Sequence, residues 1–305
     1  MNSKVQSLKA FLASAGRVAL VEVAGTKGST PREKGAFMLV SASAILGTIG
    51  GGQLEYMALD KARQMVAPSV RPGSVSRLQT SSRIEVDEVC ATLDVPLGPE
   101  IGQCCGGRVE VLIRLVDAAL EAELIQTAEA EEADLPHVYI FGGGHVGQAL
   151  ASTIALLPVH GVVIETRAEA MEGMPETVET RLTAMPEAMV RDAPAGTAFA
   201  ILTHDHALDF LIVAEALKRD DTAYVGMIGS KTKKATFRNW FLKSADGTEA
   251  EFARLVSPIG GDAVKDKRPP VIAALAAAEI MTALVTHAAI SNAGQHAPHD
   301  KVMAG

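Results

Sequence analysis

HVYIFGGGHVGQAL, His137–Leu150, is the stretch on which the fold turns. A short apolar run, His137 to Phe141, reads as a buried strand, and Gln148 to Leu156 reads as a helix. Between them stands Gly142-x-Gly144-x-x-Gly147. Glycines at this spacing permit a tight turn, close approach of a phosphate, and close packing of helix on strand. The N-terminus of the following helix offers free N–H groups to an anion. Glu165 ends the next predicted strand, about twenty residues on, where a ribose hydroxyl is usually held. His145 inside the turn is either a phosphate contact or a solvated loop residue. The motif predicts a Rossmann-like fold; it does not by itself predict NAD or hydride transfer.

The alternation continues outward from this stretch. Gly161–Thr166, Phe199–Leu202 and Tyr224–Ile228 read as strands, and Leu208–Lys218 and Lys231–Phe241 as helices. Strands alternating with helices predict a parallel, doubly wound sheet. Upstream the pattern changes. Val5–Ala15 is a short amphipathic helix, and Arg17–Ala24, Ala36–Ser41, Ile45–Ile49, Ser74–Thr80 and Arg108–Val116 are strands, with a helix at Gln53–Val66. The expected fold class is therefore α/β, with an N-terminal α+β domain (1–117), a helical linker (118–135), a Rossmann-like domain (136–256) and a C-terminal helical segment (257–305).

Composition bounds the function. The chain has 305 residues, 48% apolar and 21% charged, with a formal net charge of −8. These are the proportions of a soluble globular protein with room for two cores. The acidic balance argues against nucleic-acid binding, which needs a basic face. Three cysteines, Cys90, Cys104 and Cys105, make no disulfide framework, so a reducing cytoplasm is expected. No secretory signal is convincing. Val271–Ile290 is long and apolar enough to span a bilayer. It carries Glu279, Thr282, Thr286 and His287, and we read it as a buried or subunit-contacting helix rather than a membrane anchor.

Several constellations can carry chemistry. Ile101–Arg108 (IGQCCGGR) sets two adjacent thiols at a glycine turn beside a cation. Arg108 would favour the thiolate, the reactive and metal-binding form. Gly106 and Gly107 let a ligand come close to the backbone. The bland alternative is one buried and one exposed Cys at an inert turn. Gly50-Gly51-Gly52 also opens a helix, suited to an anion or simply a tight turn, and Gln53 could read a polar heterocycle edge. Gly25–Arg32 has the composition of a phosphate cradle without a Walker A triplet. His204-Asp205-His206 with Asp209 offers either a helix cap, our first reading, or a metal site. In Gly226–Lys234 the lysines hold phosphate, or are solvated while Ser230 caps a helix.

Seven segments in order resemble one family, the XdhC/CoxI molybdenum-cofactor chaperones that mature xanthine dehydrogenase. They are GTKGSTPRE (25–33), GTIGGGQLE (47–55), GQCCGGRVE (102–110), IFGGGHVGQAL (140–150), THDHALD (203–209), IGSKTKK (228–234) and SPIG (257–260). Many members carry Cys where this chain has Gln53, which leaves Cys104 and Cys105 as the sulfur candidates. The stretch 261–270 departs from the family pattern. The resemblance implies an accessory protein rather than a turnover enzyme. It would bind the molybdenum cofactor in its molybdopterin form, protect it, support its sulfuration and deliver it to the large molybdenum subunit of xanthine dehydrogenase. A cysteine desulfurase is an implied partner, and a homodimer is expected; no nucleic acid or membrane is. Cys105, with Cys104 and Gln103 near it, would contact the molybdenum or its sulfur. The cofactor would lie in the crevice between the domains, its phosphate near Gly142–Gly147 or Gly50–Gly52. The alternatives are an NAD(P)-dependent oxidoreductase and a thiol sulfurtransferase.

Overall fold

The structure, a computed structural model, describes residues 3–67, 83–86, 90–98 and 106–295. The chain forms two compact units that meet in sequence between Glu132 and Ala133.

The first unit runs α1 (Lys4–Ser14), β1 (Ala19–Lys27), β2 (Phe37–Val40), β3 (Ile45–Gly47), α2 (Gly52–Val66), β4 (Arg83–Val86), β5 (Cys90–Pro96), β6 (Arg108–Leu115) and α3 (Ala118–Ala133). Its strands make an antiparallel sheet in the order β3-β2-β1-β6-β5-β4. Successive strand residues point to opposite faces, so β1 and β2 each feed two cores. Ala19, Val21 and Val23 of β1 join Val109, Val111 and Ile113 of β6 beneath Leu54, Ala58 and Ala62 of α2. Leu20 and Leu39 pack on the other face with Leu8 of α1 and Leu120 and Ala128 of α3. The Ala/Glu-rich helix read as a linker thus contributes to the core of this unit. The predicted strand Ser74–Thr80 lies outside the described residues, while β4 and β5 were not foreseen.

The second unit runs β7 (His137–Phe141), α4 (His145–Ile154), β8 (His160–Glu165), β9 (Glu179–Leu182), α5 (Pro186–Arg191), β10 (Ala198–Ile201), α6 (His206–Lys218), β11 (Tyr224–Met227), α7 (Lys231–Ser244), α8 (Glu249–Phe252), β12 (Leu255–Val256) and α9 (Pro269–Gln295). The sheet is parallel throughout, ordered β12-β11-β10-β7-β8-β9. Its strand order reverses between β7 and β10, the switch point of a doubly wound sheet. The central strands are buried on both faces, which is why they read as unbroken apolar runs. Val138 and Ile140 face α4 and α9, and Tyr139 and Phe141 face α5, α6 and α7. α9 is long and apolar enough to cross a membrane by length and composition. One side of it, Ala273, Ala276, Ala277, Ile280 and Leu284, is buried in the sheet's core, while Val285 and Ile290 are exposed.

Candidate functional site

In the first unit three segments singled out by sequence come together. A Cβ on Gly107 would stand 2.1 Å from the Ser29 carbonyl oxygen and 2.8 Å from that of Lys27, so only glycine lets the 27–29 loop cross there. Ser29 and Gly106 form a parallel bridge. Gly106 N–H donates to Leu97 O at 2.9 Å, and Leu97 N–H to Gly107 O at 2.8 Å. Gly50 in turn abuts Pro31: a Cβ there would lie 2.9 Å from Pro31 Cγ. The loop 25–33, the turn 47–52 and the stem of the Cys-Cys segment are therefore one cluster. Gln103, Cys104 and Cys105 themselves lie outside the described residues.

The turn 47–52 already holds an anion, the chain's own. The Glu55 carboxylate accepts from Ile49 N–H and Gly51 N–H, each at 3.1 Å, and from the Thr48 hydroxyl. Thr48 Oγ1 takes the Gly50 N–H at 3.1 Å. Burial alone would raise the Glu55 pKa; these donors outweigh it and hold it below the ordinary value. An incoming phosphate would have to displace Glu55 or settle on the exposed first turn at Gly52 and Gln53. Arg108, expected to activate a thiol, is bidentate on Asp94 at 2.5 and 2.6 Å, so its charge is answered by a carboxylate.

In the second unit the glycines act as their spacing implies. A Cβ on Gly147 would come within 1.9 Å of Gly142 O, which fixes α4 against the turn. Gly142, at φ 109°, passes 2.7 Å from Leu202 O by the same measure, joining this turn to the loop after β10. Gly144 is exposed with nothing near, and His145 beside it is exposed at the first position of α4. The side open to a ligand is therefore the helix N-terminus, whose first N–H groups have no intrahelical partner. Glu165 is 4% exposed and already engaged. It accepts from Gly143 N–H at 2.8 Å, Thr166 N–H at 2.8 Å and the Arg167 guanidinium at 3.2 Å. Burial pushes its pKa up, but Arg167 and the two amides prevail and bring it to about 2. A ribose hydroxyl would have to compete with Arg167.

The loop after β10 gives the capping outcome. Asp205 accepts from Ala207 N–H at 2.7 Å and caps α6, while His204 and His206 are exposed. Among the described residues no group of three or more His, Cys, Asp or Glu could hold a metal ion. Lys233, which sequence reasoning left between phosphate and solvent, is buried. Its ammonium binds Asp209 and donates to Ile228 O at 3.0 Å, and Asp209 accepts from Thr203 N–H at 3.1 Å. This pair ties together the loops after β10 and β11 at the edge where a ligand would sit. Lys233 follows Ser230, the α7 cap, by three residues; nothing in its local sequence marks it as buried.

A model of the XdhC and CoxI family matches residues 11–73, and a model of the XdhC Rossmann domain matches residues 138–280. The chain belongs to the XdhC/CoxI family. An uncharacterised Escherichia coli K12 protein, YqeB, is 24% identical over an alignment of 277 residues that covers 86% of this XdhC/CoxI chain and 43% of YqeB. The chain thus spans less than half the length of that relative. The fold is shared with the crystal structure of a xanthine dehydrogenase from Bacillus halodurans, at TM-score 0.72 and 18% identity, over 93% of this chain and 96% of that one. Both XdhC/CoxI halves carry a glycine turn at a helix start, and in each an internal carboxylate, Glu55 or Glu165, takes some of the turn's amides.

Proposed function

We propose that the chain is an accessory protein in the maturation of xanthine dehydrogenase or a related molybdenum hydroxylase. It binds the molybdenum cofactor as cargo, protects it, supports its sulfuration with a cysteine desulfurase, and hands it to the large molybdenum subunit. The observation that carries this reading is family membership in both halves of the chain, in order. Local chemistry supports it. The clustered loops at Gly25–Glu33, Gly47–Gly52 and Gly106–Gly107 hold the stem of Cys104 and Cys105, whose soft sulfur suits molybdenum or a sulfur-transfer step. The open N-terminus of α4, with Gly144 and His145, suits a phosphate.

The test is anaerobic incubation of purified protein with free molybdenum cofactor, then gel filtration with molybdenum and oxidised pterin quantified. We expect stoichiometric retention in the wild type and loss in the Cys104→Ala/Cys105→Ala variant. Failure of the wild type to retain molybdenum overturns the reading. The turn at Gly142–Gly147 favours a second reading, an NAD(P)-binding oxidoreductase, against which Arg167 on Glu165 weighs. Saturable nicotinamide dinucleotide binding without cofactor retention would select it.

A further inference from the structure

A cavity of about 550 Å³ lies within the first unit, between the sheet and helices α1 and α3. That size suits a ligand of a few rings. Leu8, Leu20, Phe37, Leu46, Leu120 and Leu124 make the apolar part of its wall. One polar feature stands on the sheet face: Glu22 of β1 and Arg114 of β6. Leu20 is the cross-strand partner of Arg114, which makes Glu22 its diagonal neighbour on the same face. The pair is loose. Arg114 Nη2 stands 3.5 Å from Glu22 Oε2, Arg114 Nε is buried without a partner, and Glu22 has no other hydrogen bond among the described residues. Both side chains keep about a third of their surface, 32% and 39%, so neither saturates the other.

We propose that this cavity seats a planar bicyclic heterocycle of the pterin type. A carboxylate beside a guanidinium presents two acceptors next to donors. That matches a ring edge carrying an amine and a ring N–H beside a carbonyl oxygen: Glu22 accepts from the first two and Arg114 donates to the third. Overall charge agrees with a neutral ring. The lining cations Lys4, Arg32 and Arg114 are matched by Glu22, Glu123 and Glu131, and Lys4 is paired with Glu131 at 2.7 Å. A fatty acid would need an unopposed cation in the apolar wall, and a nucleotide several. Arg32, exposed and with no guanidinium partner among the described residues, lines the cavity together with Gly47 and Thr48. It suits an anionic tail leaving toward the clustered loops. This inference rests on the cofactor-chaperone reading and names the place where the ring of the cargo binds.

The experiment titrates the full chain with 6-hydroxymethylpterin, followed by quenching of pterin fluorescence. Lumazine, which replaces the amine with a carbonyl, is the comparison. Glu22→Gln and Leu124→Trp, the latter filling the cavity, are checked for folding by circular dichroism. We expect one saturable site per chain, binding weakened about tenfold or more by Glu22→Gln, lost in Leu124→Trp, and weaker for lumazine. No saturable binding, or equal binding in all three proteins, overturns the proposal. Retention of the molybdenum cofactor by Leu124→Trp at the wild-type level removes the pocket and leaves the chaperone reading standing. Pocket-dependent pterin binding without any retention of the molybdenum cofactor keeps the pocket and ends the chaperone reading.

Discussion

Glu165 shows how much one residue can hold and how little its position reveals. Its spacing from the glycine turn placed it at the end of β8, where it is. Its partners were not legible, because spacing along a chain says nothing about which donors fold over a carboxylate. Arg167, two residues on, closes over it, and Gly143 N–H meets it from another loop. Its folded pKa of about 2 lies below the ordinary 4.5. The stability this adds is complete above pH 4.5 and is lost as pH falls through about 2. Melting temperature should therefore fall more steeply across that window in the wild type than in Glu165→Gln. At neutral pH the variant should cost about 1–3 kcal/mol by urea denaturation, since it weakens charged hydrogen bonds in a buried place. Lys233 is the counterpart: a lysine in a cationic run that the fold buries against Asp209. Asp209→Ala should cost about 3–5 kcal/mol by leaving an ammonium buried and unpaired. Asp209→Leu with Lys233→Met should recover much of that in the same denaturation assay.

Elements were legible where periodicity was strong and lost where it was short. The strands flanking the glycine turn, the helices α2, α6 and α7, and strand β6 all follow from their apolar pattern. β5 alternates Ala91, Leu93 and Val95 inward, but Pro96 and the turn residues around it hid so short a run. α4 begins at His145, three residues before the predicted Gln148, because Gln148 N–H already closes on Gly144 O. That early start makes two glycines of one motif separable. Gly147→Ala puts a methyl 1.9 Å from Gly142 O and should prevent folding or cost several kcal/mol (about 3 or more). Gly144→Ala meets nothing within 4 Å at an ordinary φ of −69° and should stay within about 0.5 kcal/mol of wild type. Thermal melts of the two variants check both. The stem of the thiol pair could be read as a glycine turn, but not its crossing by residues 27–29, since that contact joins segments far apart in the chain.

For the whole molecule, composition and alternation conveyed two α/β units, and the family models cover both. The linker reading did not convey that α3 belongs to the first unit's core, through an apolar face that its alanines disguise, whereas α9, read as a buried or subunit-contacting helix, does pack in the second. A chain ending at Arg268 would uncover Val138, Ile140 and Ala200. Most of it should pellet in a centrifugation assay, while the full chain stays in the supernatant. The antiparallel sheet has one more consequence, in the order of synthesis. β1 is made early, yet one of its two neighbours is β6, the last strand of its unit. The loop at 27–29 cannot meet Gly106 and Gly107 until the chain has been made past them. A nascent chain halted at the end of β5 would carry its glycine loops at 25–33 and 47–52 without the segment 101–108 that bears the thiols. The competence proposed for the cluster at these loops would therefore arrive in one step, late in the birth of the unit, and a truncated product would have none of it.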